Sequence, residues 1–237
     1  FATVSYRGAS KITLNSPAFT TDHSNFTGME INISLNSALD HYNARAKINK
    51  FSANIAKTTI ILKRIDTAFS GSRINKYLWL GKGTVSLGKL SISVPNNPLF
   101  SLEGVTSNYA LDKENDTALT MHWQSRLAAL VAADVSLKDF QINLDVNHLD
   151  IAAMTDYIKS IQDVYQTTKG TPLTPQQTAA RIQAISTRIG EKILKKSPEL
   201  VVNELDFSLG GGVLKSNGMV TFNGQELENI QQLSNPL

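Results

Sequence analysis

Cysteine is absent from these 237 residues. That excludes disulfides, thiolate nucleophiles and cysteine zinc sites, and it is compatible with an oxidising compartment without proving one. Charge is also sparse, at 18% of residues, below the usual quarter or so of a globular chain. Long apolar runs are missing, so no segment reads as a bilayer-spanning helix. A dense basic tract is missing as well. The net charge of +3 comes from 23 basic and 20 acidic residues scattered along the chain, which excludes the one-sided basic footprint of a nucleic-acid binder. Lys192, Lys195 and Lys196 come nearest to a cluster, and they read as a helix C-terminus favoured by the macrodipole.

Recognisable chemistry is equally thin. Four histidines, at 23, 41, 122 and 148, stand apart, with no partner at metal-ligand spacing. Gly81-Lys82-Gly83-Thr84 lacks the upstream glycine of a phosphate loop, since position 76 is Lys. Asp112, Glu114 and Asp116 lack the central Gly and distal Glu of a calcium loop and read as a polar turn. Asp134, Asp139, Asp145 and Asp150 could bring two carboxylates together, but alternating strands display such residues to solvent routinely. No nucleophile elbow is present. The expectation is a protein that is not an enzyme, with no catalytic, cofactor or metal residues and no cofactor.

What the chain has is alternation. Met29, Ile31, Ile33 and Leu35 share one face of a strand. Residues 44–55 continue the period, with a register change near Phe51. The run Ile60-Ile61-Leu62 is either a strand or a short buried helix. Residues 85–94, 135–144 and 200–209 share one rhythm: apolar alternation, a polar or Gly step, and alternation again. Residues 77–94 read as two strands around Gly81 and Gly83, and residues 119–131 as strand. Pro95-Asn96-Asn97-Pro98 is the clearest break, dividing an N-terminal β-rich subdomain, 1–94, from a C-terminal one, 99–237, unless the two form one continuous domain. Gly210-Gly211-Gly212 reads as a kink or bulge and Ser216-Asn217-Gly218 as a tight turn.

Two helices interrupt the strands. Asp150 caps the first, whose apolar stripe is Ile151, Met154, Ile158, Ile161 and Tyr165. Gly170-Thr171-Pro172-Leu173 ends it. Thr174-Pro175-Gln176-Gln177 starts the second with a capping box. Its stripe is Ala179, Ile182, Ile185 or Ser186, Ile189 and Ile193, and Ser197-Pro198 stops it. The fold expected is α+β: an elongated, curved antiparallel β-sheet with one amphipathic helical hairpin, about 150–196, packed on it.

Three stretches carry a resemblance. They are Val146-Asn147-His148-Leu149-Asp150-Ile151-Ala152-Ala153-Met154, Lys195-Lys196-Ser197-Pro198-Glu199-Leu200-Val201-Val202-Asn203-Glu204-Leu205, and Gly212 with the strand ending Gly218-Met219-Val220-Thr221-Phe222. Over residues 75–223 the chain resembles the YdgA-like family, a bacterial family of unknown function, and its strand style is similar, more distantly, to AsmA-like envelope proteins. The resemblance implies a periplasmic body in a Gram-negative envelope, held to the inner membrane by a segment preceding Phe1, and it transfers no site residues. The chain lacks an initiator Met and reads as a processed or partial sequence.

Two functions are therefore expected. The first is a non-enzymatic envelope protein that binds lipid or another hydrophobic ligand in a sheet-lined groove, with Ile151, Met154, Ile158, Ile161, Ile182, Ile189 and Ile193 as its apolar face. The second is an interaction module that self-associates as a homo-oligomer. Nucleic acid is not an expected partner, and membrane contact is expected only through the absent anchor. Ordinary core packing of the hairpin on the sheet is the bland alternative to a groove.

Overall fold

The computed structural model describes residues 2–4, 8–95, 97–133, 135–166 and 174–224. Long alternating segments joined by short polar turns can satisfy their backbone only by pairing with their chain neighbours, and the chain does this almost without exception. The elements are β1 (Ala2–Val4), β2 (Ser10–Ser16), β3 (Phe19–Thr20), β4 (Ser24–Phe26), β5 (Met29–Leu35), β6 (His41–Ile55), β7 (Thr58–Arg73), β8 (Trp79–Val94), β9 (Asn97–Lys113), β10 (Ala118–Ala132), β11 (Val135–Asp150), α1 (Ile151–Gln166), α2 (Pro175–Leu194), β12 (Glu199–Leu209) and β13 (Gly212–Thr221). They build one 13-stranded sheet, ordered β1-β2-β5-β6-β7-β8-β9-β10-β11-β12-β13, with β3 and β4 set beside β6.

Pro95 sits in the turn of a hairpin in which β8 pairs with β9 from Gly81↔Leu111 to Val94↔Asn97, so one sheet runs through the break; Asn96 lies outside the described residues. Residues 77–94 hold one strand rather than two. Gly83 is inside it because rings lie over it, a methyl there overlapping Phe69 and Tyr109, while Gly81 lies against the backbone of Ser70 and Gly71 in β7. Ile60-Ile61-Leu62 is strand. Ser216-Asn217-Gly218 is not a turn but part of β13; the turn is Gly210-Gly211, both with positive φ. There β12 bulges instead, between Val202 and Leu205, and takes up the irregularity.

Residues directly opposite one another share a face, so the register sorts the sheet into rungs. One runs Ile12–Ile33–Ala44–Phe69–Gly83–Tyr109–Trp123–Leu144–Val202. Its neighbours on that face run Leu14–Ile31–Ala46–Thr67–Val85–Ser107–Ser125–Ile142–Leu205 and Leu35–Tyr42–Gly71–Gly81–Leu111–Met121–Val146–Leu200. These three rungs carry no charged side chain. The rungs between them, on the other face, run Thr13–Asn32–Arg45–Ala68–Thr84–Asn108–Gln124–Asn143–Glu204 and Lys11–Ser34–Asn43–Ser70–Lys82–Ala110–His122–Asp145. One face is apolar and one polar, as period-2 patterning requires.

A crease crosses the sheet. Arg64 (φ 54°), Gly104 (φ 65°) and Asp139 (φ 52°) take left-handed conformations on alternate strands. Asp139 accounts for the interrupted rhythm of residues 135–144, whereas in residues 85–94 the interruption falls at Gly88, opposite the left-handed Arg64 of the neighbouring strand. A shift of one residue would throw the apolar set onto the opposite face, and a left-handed residue within the strand absorbs it. Beyond the crease lies a leucine ladder, Leu62–Leu90–Leu102–Leu130–Leu137–Leu209.

The hairpin covers one end of the apolar face. Leu78, Leu119 and Leu149 are buried there, against Leu80, Leu111 and Val146 of the sheet and Ile151, Met154, Ile158 and Ile193 of the helices. Asp150 accepts from the Ala153 amide at 2.7 Å and caps α1. Thr174 and Gln177 form the capping box of α2; residues 170–173 lie outside the described residues. Lys192 bonds Asp156 at 2.9 Å and ties the helices together. Elsewhere, among the described residues, the sheet is a single layer. The accessible surface is 15397 Å² for 25.9 kDa, where a compact monomer of that mass has about 10,500 Å².

Candidate functional site

A trough of about 550 Å³ runs across the polar face from β6 to β11. Its flanks identify the face: β6 contributes Asn43 and Arg45 but not Ala44, and β11 contributes Asn143 but not Leu144. Small residues, Ala68, Gly83 and Ala110, form part of its floor. Amides and hydroxyls line it, with Thr84 donating to Asn108 at 2.8 Å. Its basic members are Arg45, Lys82 and His122, and no acid lines it. Among the described residues Arg45 and Lys82 have no ion-pair partner. His122 bonds Asp145 at 2.6 Å, whose other oxygen accepts from Asn203.

The groove expected from the sequence was lined by the helical hairpin, and this trough is lined by strands β6 to β11. The physical reason is register: alternation puts the apolar side chains, on which the hairpin packs, on the opposite face. The seven hairpin residues expected to line a groove lie elsewhere. Ile151, Met154, Ile158 and Ile193 pack on the sheet end, Ile189 is buried at 1% exposure, and Ile161 and Ile182 are half-buried. Ile185 rather than Ser186 turns inward, while Ala179 is exposed. None of these lines the trough.

The bare part of the apolar face is the second candidate surface. Tyr109, Trp123 and Val85 remain 38%, 38% and 39% exposed. Phe69 and Tyr109 rings stand 6.1 Å apart, and the Trp123 indole N–H donates to Ser107 at 2.8 Å, so it is satisfied in place. Partial burial, with Tyr42 alongside, pushes the Tyr109 phenol above its ordinary pKa.

The titratable residues singled out in the sequence are dispersed. Asp40 pairs with His41 at 2.6 Å, which holds its carboxyl below the ordinary range. Asp139 lies in the crease, Asp145 serves His122 and Asp150 serves α1; Asp134 is outside the described residues. Glu114 accepts from the His148 amide at 3.1 Å and contacts its ring at 2.9 Å, with Glu199 3.7 Å from the far nitrogen. Desolvation pushes Glu114 up, but bonds and charge from His148 outweigh it, and its pKa is lowered. Asp116 pairs with Lys113. Among the described residues no group of His, Asp and Glu is arranged to hold a metal.

A model of the family described as "Bacterial protein of unknown function (DUF945)" matches residues 2–237. No curated protein and no solved structure matches. The chain belongs to that bacterial family of unknown function.

Proposed function

We propose, from membership of this family and from the bare apolar face, that the chain is a non-enzymatic envelope protein that holds a lipid or other hydrophobic ligand flat against its sheet. The observation that carries this is three adjacent rungs without a charge, covered among the described residues at one end, by the hairpin. Soluble monomers rarely leave contiguous apolar patches beyond a few hundred Å² uncovered. The resemblance to YdgA-like and AsmA-like proteins supports a periplasmic setting with an inner-membrane anchor. A C-terminal alkaline phosphatase fusion, active only outside the cytoplasm, tests that setting.

The ligand is tested by native mass spectrometry of protein purified from a Gram-negative host, followed by organic extraction. A copurified acyl lipid is expected, lost in Tyr109→Asp and Trp123→Asp with circular dichroism unchanged. Lipid-free protein at the monomer mass sinks the reading.

A second reading rests on β13. All 10 of its residues are exposed, including Val213 at 67% and Met219 at 64%, and it ends the sheet. An apolar edge strand is a template for pairing with another strand, and a two-fold axis would pair it with its own copy. Lipid-free protein at twice the monomer mass, returned to monomer by Val213→Lys, favours this homo-oligomer.

A further inference from the structure

We propose that the polar trough binds an extended acidic oligosaccharide. Arg45 stands on β6 and Lys82 on β8, with one strand between them. Adjacent strands lie about 4.8 Å apart, so the two cations are roughly 10 Å apart along the trough. His122 stands two strands further on, on β10, hydrogen-bonded to Asp145. Between the charges stand groups that both donate and accept: Asn43, Thr84, Asn108 and Gln124. Two separated cations with amides and hydroxyls between them suit a chain that carries a carboxylate on some sugars and hydroxyls on all. A dense polyanion would set charges against neutral amides. Acids bound the site at both ends: Glu30 and Asp66 line the adjoining hollow, with Arg45 and Lys47, and Asp145 pairs with His122 at the other end. The ligand therefore lies across β6 to β11, perpendicular to the strands. The floor of small residues lets a sugar chain approach the backbone. Arg45 is exposed and unpaired, so the guanidinium is available to grip a carboxylate in two bonds.

The test is calorimetry at low salt with hexagalacturonate as the acidic probe, maltohexaose as the neutral one and inorganic polyphosphate as the dense polyanion. Hexagalacturonate is expected to bind, and Lys82→Ala and Arg45→Ala to weaken it about tenfold each, as for a charge-assisted bond. Lys192→Ala, on the helices, is expected to leave it unchanged. Circular dichroism and urea midpoints establish that the variants fold; a folded Lys82→Gln serves if Lys82→Ala does not. Equal affinity for the neutral sugar, tighter binding of polyphosphate, or undiminished binding in the folded double variant overturns the proposal.

Discussion

The apolar face has two regions that share a pattern and differ in cover. Under the hairpin, Leu119 and Leu78 are 0% and 1% exposed. Beyond it, on the same face, Val85 and Trp123 keep more than a third of their surface in water. The covered end is the less regular of the two, with a bulge between Leu119 and Met121. Patterning thus selects which face is apolar, but only a second layer converts that face into a core, and the described residues supply a second layer over one end alone.

Mutations should separate the two regions. Leu119→Ala, which opens a cavity under the hairpin, is expected to cost about 3–4 kcal/mol in urea unfolding, within the range of large-to-small core changes. Leu130→Ala, on the half-buried leucine ladder, should cost about 1–2 kcal/mol, because water already reaches that rung. Equal losses would mean that the ladder is covered in solution and the comparison fails. Asp150→Ala removes the cap of α1 and should cost about 1 kcal/mol, loosening the covered end while leaving the ladder's hydrogen-exchange protection unchanged. Val85→Thr, on the bare region, should change stability by less than about 0.5 kcal/mol if nothing covers it.

The smallest effect is electrostatic. The carboxyl of Glu114 has a lowered pKa in the folded state because of His148. Its contribution is therefore present above the ordinary value of 4.5 and fades as pH falls through the lower folded value. The urea midpoint of Glu114→Gln should lie below that of the native chain at pH 6, and the gap should close under strong acid.

The sheet and hairpin were legible from residues because both depend on local periods. Met29 to Leu35 could only alternate, and Thr174-Pro175-Gln176-Gln177 could only open a helix. Glycine misled where its reason was distant. Gly81 and Gly83 look like breaks in the chain, and only the rings of Phe69 and Tyr109 from neighbouring strands explain Gly83 inside a strand. Ser216-Asn217-Gly218 has turn composition, yet pairing with β12 keeps it extended, since a turn there would leave the bonds between Val202↔Gly218 and Leu205↔Ser216 unmade. The trough was illegible for the same reason. Arg45, Lys82 and His122 are far apart in sequence, and the signal that could have found them was a count of strand lengths back from each turn.

The sequence by itself determined a two-faced antiparallel sheet, its helical hairpin and both helix caps, because residue period and capping chemistry act within a few residues. The tertiary structure alone decided that the hairpin covers one end, that the crease carries the apolar set past an odd residue, and that the hollow lies on the polar face. Those outcomes depend on register between strands and on curvature summed over the whole sheet, which no single segment encodes.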